Sequence, residues 1–113
     1  MMELDSYNPE ELLIVYGSLA PGGSNAFIFK GVEGTWHRCR IRGHMRRWRG
    51  FKSFKWDPEG PEHQAWLFAS PALPQIFPEL DDFEGDEYRR LVIPAQVGDA
   101  WVLANIYEGK CFE

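Results

Sequence analysis

Cysteine is almost missing from this chain. Cys39 and Cys111 are the only two in 113 residues, too few and too plainly spaced to form a disulfide framework. Histidine is scarce too, at His37, His44 and His63. Neither residue type pairs at a ligand spacing, so no metal centre is expected. No apolar run reaches the ~18–20 residues that a membrane helix needs. Met1 to Glu11 has neither a basic start nor an apolar stretch. It is read as a flexible leader rather than a secretory signal. Two catalytic signatures are also lacking. Ser18 is not framed by Gly-x-Ser-x-Gly, and Gly22-Gly23 has no lysine at phosphate-loop spacing. These absences leave a soluble cytoplasmic protein with reduced thiols as the expectation.

Apolar residues make up 44% of the chain, and five are tryptophans. That is a globular composition. A chain of 113 residues is expected to form one domain, spanning 1–113, with no disulfide or metal needed to hold it. Net charge is −5, but it is unevenly spread. Eight of the twelve Lys and Arg lie between Arg38 and Lys55, and six acids lie between Glu79 and Glu87. The acidic balance weighs against nucleic acid as the main partner, whereas the basic segment, interleaved with Trp36, Trp48, Phe51, Phe54 and Trp56, keeps that reading open.

Along the chain, Leu12 to Tyr16 reads as a buried strand because it is apolar and uninterrupted. A short helical turn is expected over Asn25 to Phe29 with Ser24 as its cap. Thr35 to Gly43 alternates with period two and puts Trp36, Arg38, Arg40 and Arg42 on one face, so it predicts a half-buried strand. Met45 to Trp56 has no clear period. Asp57 to Pro61 is a turn, and His63 to Ala69 is a returning strand. Ser70-Pro71 reads as a helix start. Leu73, Ile76, Phe77, Leu80 and Phe83 follow at helical spacing. Pro74 and Pro78 predict two short pieces instead of one helix, with Gly85 as the stop. Tyr88 to Val97 is a strand whose Pro94 points to an edge or a bulge. Gly98-Asp99 makes a two-residue hairpin turn, and Ala100 to Tyr107 returns. The expected class is α+β: a small, mixed, mostly antiparallel β-barrel with short flanking helices.

Two stretches carry the chemistry. In the first, Tyr16-Gly17-Ser18-Leu19-Ala20-Pro21-Gly22, a core strand empties into a loop of small residues. Such a loop lets a ligand approach the backbone, and consecutive N–H groups can form a concave anion site. Taken alone, the stretch reads more simply as an ordinary Pro-Gly turn after a strand. In the second, Leu80-Asp81-Asp82-Phe83-Glu84-Gly85, a calcium loop is ruled out. With Gly85 sixth, position one would be Leu80. A solvated acidic helix end is the plain reading. The chemical reading is that Glu84, partly desolvated and beside Asp81 and Asp82, has its proton affinity raised toward neutrality, as a general base or acid requires.

Together the two stretches resemble the γ-glutamylcyclotransferase-like family, including its small bacterial members and the plant avirulence-induced-gene-like members. The family's Tyr-Gly-Ser-Leu corresponds to Tyr16-Gly17-Ser18-Leu19. Its Leu-Asp-x-Phe-Glu-Gly and Tyr-x-Arg correspond to Leu80–Gly85 and Tyr88-Arg89-Arg90. Ala65 departs from a glycine frequent in the family. The resemblance implies a small mixed barrel and no cofactor. It also implies an enzyme that cleaves a γ-glutamyl amide by internal attack of the substrate's α-amino group, giving 5-oxoproline and an amine or amino acid. Under it Glu84 is the catalytic residue. The backbone of Gly17, Ser18 and Leu19 holds the substrate carboxylate, and Tyr16 and Tyr88 wall the pocket. The alternatives are a catalytically silent module that binds a small carboxylated metabolite in the same pocket and, third, nucleic-acid binding through residues 36–56.

Overall fold

A computed structural model of the chain describes residues 7–17, 29, 31–48, 51–85 and 88–109, with backbone alone at 48 and 51. Six strands and one helix run in the order β1 (Leu12–Val15), β2 (Thr35–Trp48), β3 (Phe51–Trp56), β4 (Glu62–Ala69), α1 (Leu73–Glu84), β5 (Tyr88–Val97) and β6 (Ala100–Gly109). The sheet order is β3-β2-β4-β1-β6-β5, and a further β2–β5 bridge at Arg40 and Gln96 closes five of the strands into a barrel. β1 and β6 are parallel, and the other pairs are antiparallel. The expected mixed barrel is therefore present.

β1 reads as one apolar run because both of its faces are covered. Leu12 and Ile14 enter the barrel core with Ile41, Leu67, Ile93 and Ile106. Leu13 and Val15 face outward into a second core, where Leu73, Phe77 and Leu80 of α1 cover them. β2 outlasts the predicted Thr35–Gly43 because its partner changes. Thr35 to Arg42 pairs with β4, and Gly43 to Trp48 pairs with β3. Within the unassigned Met45–Trp56 stretch, residues 45–48 thus end β2 and Phe51–Trp56 form β3. Gly43 marks the switch. A Cβ there would stand 2.2 Å from Lys55 O and 2.5 Å from the Phe54 ring.

α1 corrects three expectations. It is one helix, Leu73–Glu84, with Pro78 inside it. Burial of Leu73, Phe77 and Leu80, at roughly 1.5–3 kcal/mol each, exceeds the roughly 3 kcal/mol cost of an interior proline. It begins after Ala72 rather than at Pro71. Ser70 Oγ instead donates to Glu33 O (2.5 Å) and accepts from Ala72 N–H (3.1 Å). Phe83 does not join the apolar face and is 46% exposed. Gly85 ends the helix at φ 73°, as its sequence position suggested.

Gly98, at φ 60°, opens the β5–β6 turn, and Val97 faces Ala100 across it. Pro94 lies two residues from the single bridge that β5 makes to β2. Part of the stretch read as a leader belongs to the folded body. Pro9–Glu11 form a 3-10 turn, Pro9 O accepts from Asn105 Nδ2 (2.9 Å), and Glu11 O accepts from Ser70 N–H (2.9 Å). The turn expected at Asn25–Phe29 lies outside the described residues except for Phe29, which packs against Trp36 and Phe68. No helix among the described residues is long and apolar enough to cross a membrane.

Candidate functional site

Leu73, Phe77, Leu80 and Glu84 follow one another at intervals of four, three and four along α1, which is one helical stripe. The first three are buried and the fourth is half-buried. A carboxylate thus takes the last place on an apolar stripe. Desolvation there pushes the Glu84 carboxyl up to about 7. Its seat in the last turn, at the negative end of the helix dipole, acts in the same direction.

Like charge, invoked above as a second cause, is not one. Asp81 turns instead to Arg90. Arg90 Nε and Nη2 donate to its two oxygens at 3.0 and 3.3 Å, and Tyr107 O–H donates to Oδ1 at 2.6 Å. Arg90 Nη1 donates to Asn105 Oδ1 (3.1 Å), and the guanidinium lies 4.1 Å over the Phe77 ring. The Arg90 hydrogen bonds hold the Asp81 carboxyl below its ordinary value. This network ties α1 to β5 and β6 three residues before Glu84.

Tyr16 closes the other side. Its hydroxyl donates to Tyr107 O (2.5 Å), and its ring tilts against Phe54 at 5.7 Å. Burial raises its phenol far above the ordinary value, and nearby Tyr88 and Glu84 push the same way. Tyr16 therefore stays neutral. Tyr88 O–H donates to Lys52 O (3.0 Å). Gly17 stands next to that same lysine, since a Cβ on it would lie 4.0 Å from Lys52 Cβ. Tyr16, Gly17, Tyr88 and Glu84 thus converge from β1, β5 and α1 at one end of the barrel. Ser18 and Leu19 lie outside the described residues.

No family model matches the chain, and no curated protein matches it. Solved structures do. The mouse AIG2-like protein also named ggact superposes with a TM-score of 0.67 at 16% identity, over 91% of this chain and 79% of its own. This chain has the γ-glutamylcyclotransferase-like fold. The uncharacterized protein PH0828 from Pyrococcus horikoshii shares it, with a TM-score of 0.66, 16% identity, and 89% and 79% of the two chains covered. So does YkqA from Bacillus subtilis, with a TM-score of 0.73 and 19% identity over 88% of this chain. This chain spans only 36% of YkqA.

Within the γ-glutamylcyclotransferase-like barrel, several residues at the site carried no role in the sequence reading. Glu108 is 3% exposed. Its Oε2 accepts Trp56 N–H (2.8 Å), and its Oε1 accepts from Arg89 Nη2 (2.9 Å) and Nε (3.2 Å). It fastens β3 to β6 beneath Tyr16. Tyr107 is 5% exposed. Simple alternation would place its side chain in water, but α1 covers that face. Among the described residues, no three His, Cys, Asp or Glu side chains gather as a metal site would need.

Three arginines of the basic strand face are engaged within the protein itself. Arg38 stacks 4.3 Å over Trp66, Arg40 donates to Gly98 O (3.2 Å) and sits 3.9 Å from Glu62, and Arg42 donates to Gly60 O (3.3 Å). Of the aromatics interleaved with it, Phe54 is wholly buried and has no face to offer a base. Trp36 packs on Phe68, and Trp56 packs on the barrel core.

Proposed function

We propose that this protein cleaves γ-glutamyl amides by intramolecular cyclisation, releasing 5-oxoproline and an amine or amino acid. The observation that carries the reading is Glu84, a carboxyl poised at about 7 on the apolar stripe of α1, close enough to Tyr16 that its charge helps to disfavour a tyrosinate there. The motifs shared with the family and the common fold support it.

The reaction needs no nucleophile from the protein. The substrate's α-nitrogen attacks its own γ-carbonyl carbon, a C–N bond forms, and the amide C–N bond breaks. Two protons leave the α-ammonium and two reach the departing nitrogen. Glu84 carries them one at a time, first as base and then as acid. Holding the chain bent so that the α-nitrogen meets the carbonyl is catalysis by proximity. The Gly17–Leu19 backbone would hold the substrate carboxylate, and Tyr16 and Tyr88 would wall the glutamyl group. The buried, neutral hydroxyl of Tyr16 keeps a second negative charge out of the pocket.

The test is 5-oxoproline release from γ-glutamyl amino acids and γ-glutamylamines by wild type and Glu84→Gln. Wild type is expected to turn over, and the variant to fall by about 10²–10⁴-fold while still binding. Full activity in the variant would remove Glu84 from the mechanism. Saturable binding without release from any substrate would make the protein a binding module instead.

A further inference from the structure

The hairpin of β2 and β3 carries two cations on its inner face. Directly opposed residues of antiparallel strands share a face, and alternate residues along a strand return to it. Gly43 opposes Trp56, Met45 opposes Phe54, and Arg47 opposes Lys52. Phe54 is buried in the barrel core, with Met45 and Trp56 packed against that core. The same face then runs on to Arg47 and Lys52, both exposed. Like charges placed directly opposite destabilise a sheet. Among the described residues neither cation has an ion-pair partner.

The pair also sits against the site. Lys52 Cβ is 4.0 Å from the point a Cβ on Gly17 would occupy, and Lys52 O receives the Tyr88 hydroxyl. Phe54, two residues along the same face, holds the Tyr16 ring. A substrate whose glutamyl head is gripped at Gly17 and Glu84 would extend its leaving part toward this rim.

We propose that Arg47 and Lys52 form an anion subsite that reads a carboxylate on the leaving group, so that γ-glutamyl amino acids and peptides are preferred over γ-glutamylamines. The inference rests on the function proposed above. The two opposed cations repel each other, and an anion between them relieves that repulsion. Lysine supplies a point charge there, and arginine a fork suited to a carboxylate.

The experiment compares γ-glutamylalanine with γ-glutamylethylamine, which differ by that carboxylate alone. Wild type, Lys52→Met, Arg47→Met and the double variant are each titrated by calorimetry and assayed for 5-oxoproline. Wild type is expected to bind γ-glutamylalanine at least about tenfold more tightly at low ionic strength, with the ratio shrinking as salt screens the charges. The ratio should fall toward one in the double variant. Thermal midpoints should hold or rise, because the repulsion is relieved. Equal affinities in wild type, or a preference that survives both substitutions, would overturn the subsite. A lost preference with lowered midpoints would make the pair structural. The expected binding pattern without any 5-oxoproline would overturn the catalytic reading and leave the subsite standing. Equal turnover and equal binding of both compounds would do the reverse.

Discussion

Asp81 and Arg90 meet as a two-point pair across the junction of α1 and β5, with Tyr107 donating to the same carboxylate. The ion pair is partly exposed, with side chains 44% and 31% accessible, and such pairs contribute about 0–1 kcal/mol. The larger stake is the Tyr107 hydroxyl, because its residue is buried. Asp81→Ala should therefore destabilise the protein by about 1–3 kcal/mol, the cost of a buried donor left without an acceptor. Asp81→Asn should cost less, since an amide oxygen can still accept. Urea unfolding of the two variants checks the order. Equal losses would show that charge, not the Tyr107 bond, holds the junction.

Glu84 and Asp81 should pull stability in opposite directions with pH. Glu84 binds its proton more tightly folded than unfolded, so its ionisation weakens the fold as pH rises from about 4.5 to about 7. Asp81 is lowered, so its contribution is full above its unfolded value of 3.8 and is lost as pH falls through its still lower folded value. Glu84→Gln should raise the melting midpoint at pH 8, with a ceiling of about 3 kcal/mol, and change little at pH 4. Equal midpoints at both pH values would mean that Glu84 is not desolvated.

The rate should carry the same signature. If ionised Glu84 takes the first proton, kcat/KM should climb through an apparent pKa near 7. Glu84→Asp should move that limb, because the shorter side chain places its carboxyl elsewhere on the stripe. An acid limb that stays put in Glu84→Asp would assign it to another group.

Gly43 should tolerate no side chain. A Cβ would lie 2.2 Å from a backbone oxygen, which cannot swing aside as a side chain can. Gly43→Ala should cost about 1–3 kcal/mol, the range for overpacking. It should also unseat β3 and with it Phe54 beneath Tyr16. Denaturant midpoints measure the first effect, and near-ultraviolet circular dichroism of the Tyr16–Phe54 environment measures the second.

Period and punctuation carried much of the architecture. Thr35–Gly43 alternates because one face is wet, and Gly85 and Gly98 stop the helix and turn the hairpin because both need positive φ. What escaped has a common physical origin in faces covered by distant parts of the chain. Tyr107 and Asn105 sit at outward positions on β6, yet the helix and the Pro9 turn cover them. Met45–Trp56 lost its period because the residue at the partner switch, Gly43, has no side chain and because Ser53 and Phe54 are both buried. For the site, the spacing of Glu84 from Leu80 was readable. The pairing of Asp81 with Arg90 was not, because nine residues and a helix end separate them.

Tyr16 and Tyr107, joined by one hydrogen bond, are 91 residues apart in sequence; β1, which Tyr16 directly follows, runs parallel to β6, which carries Tyr107. A contact of that span is reached only after a large loss of chain entropy, and pairings of high contact order set slow folding rates. The end of the barrel where Tyr16 meets Tyr107 is therefore expected to be completed late in refolding. The hairpins and α1 can form from nearby residues, but the Tyr16–Tyr107 contact must wait for β1 to find β6. Recovery of binding after dilution from denaturant should lag the recovery of helical signal and coincide with burial of the barrel core.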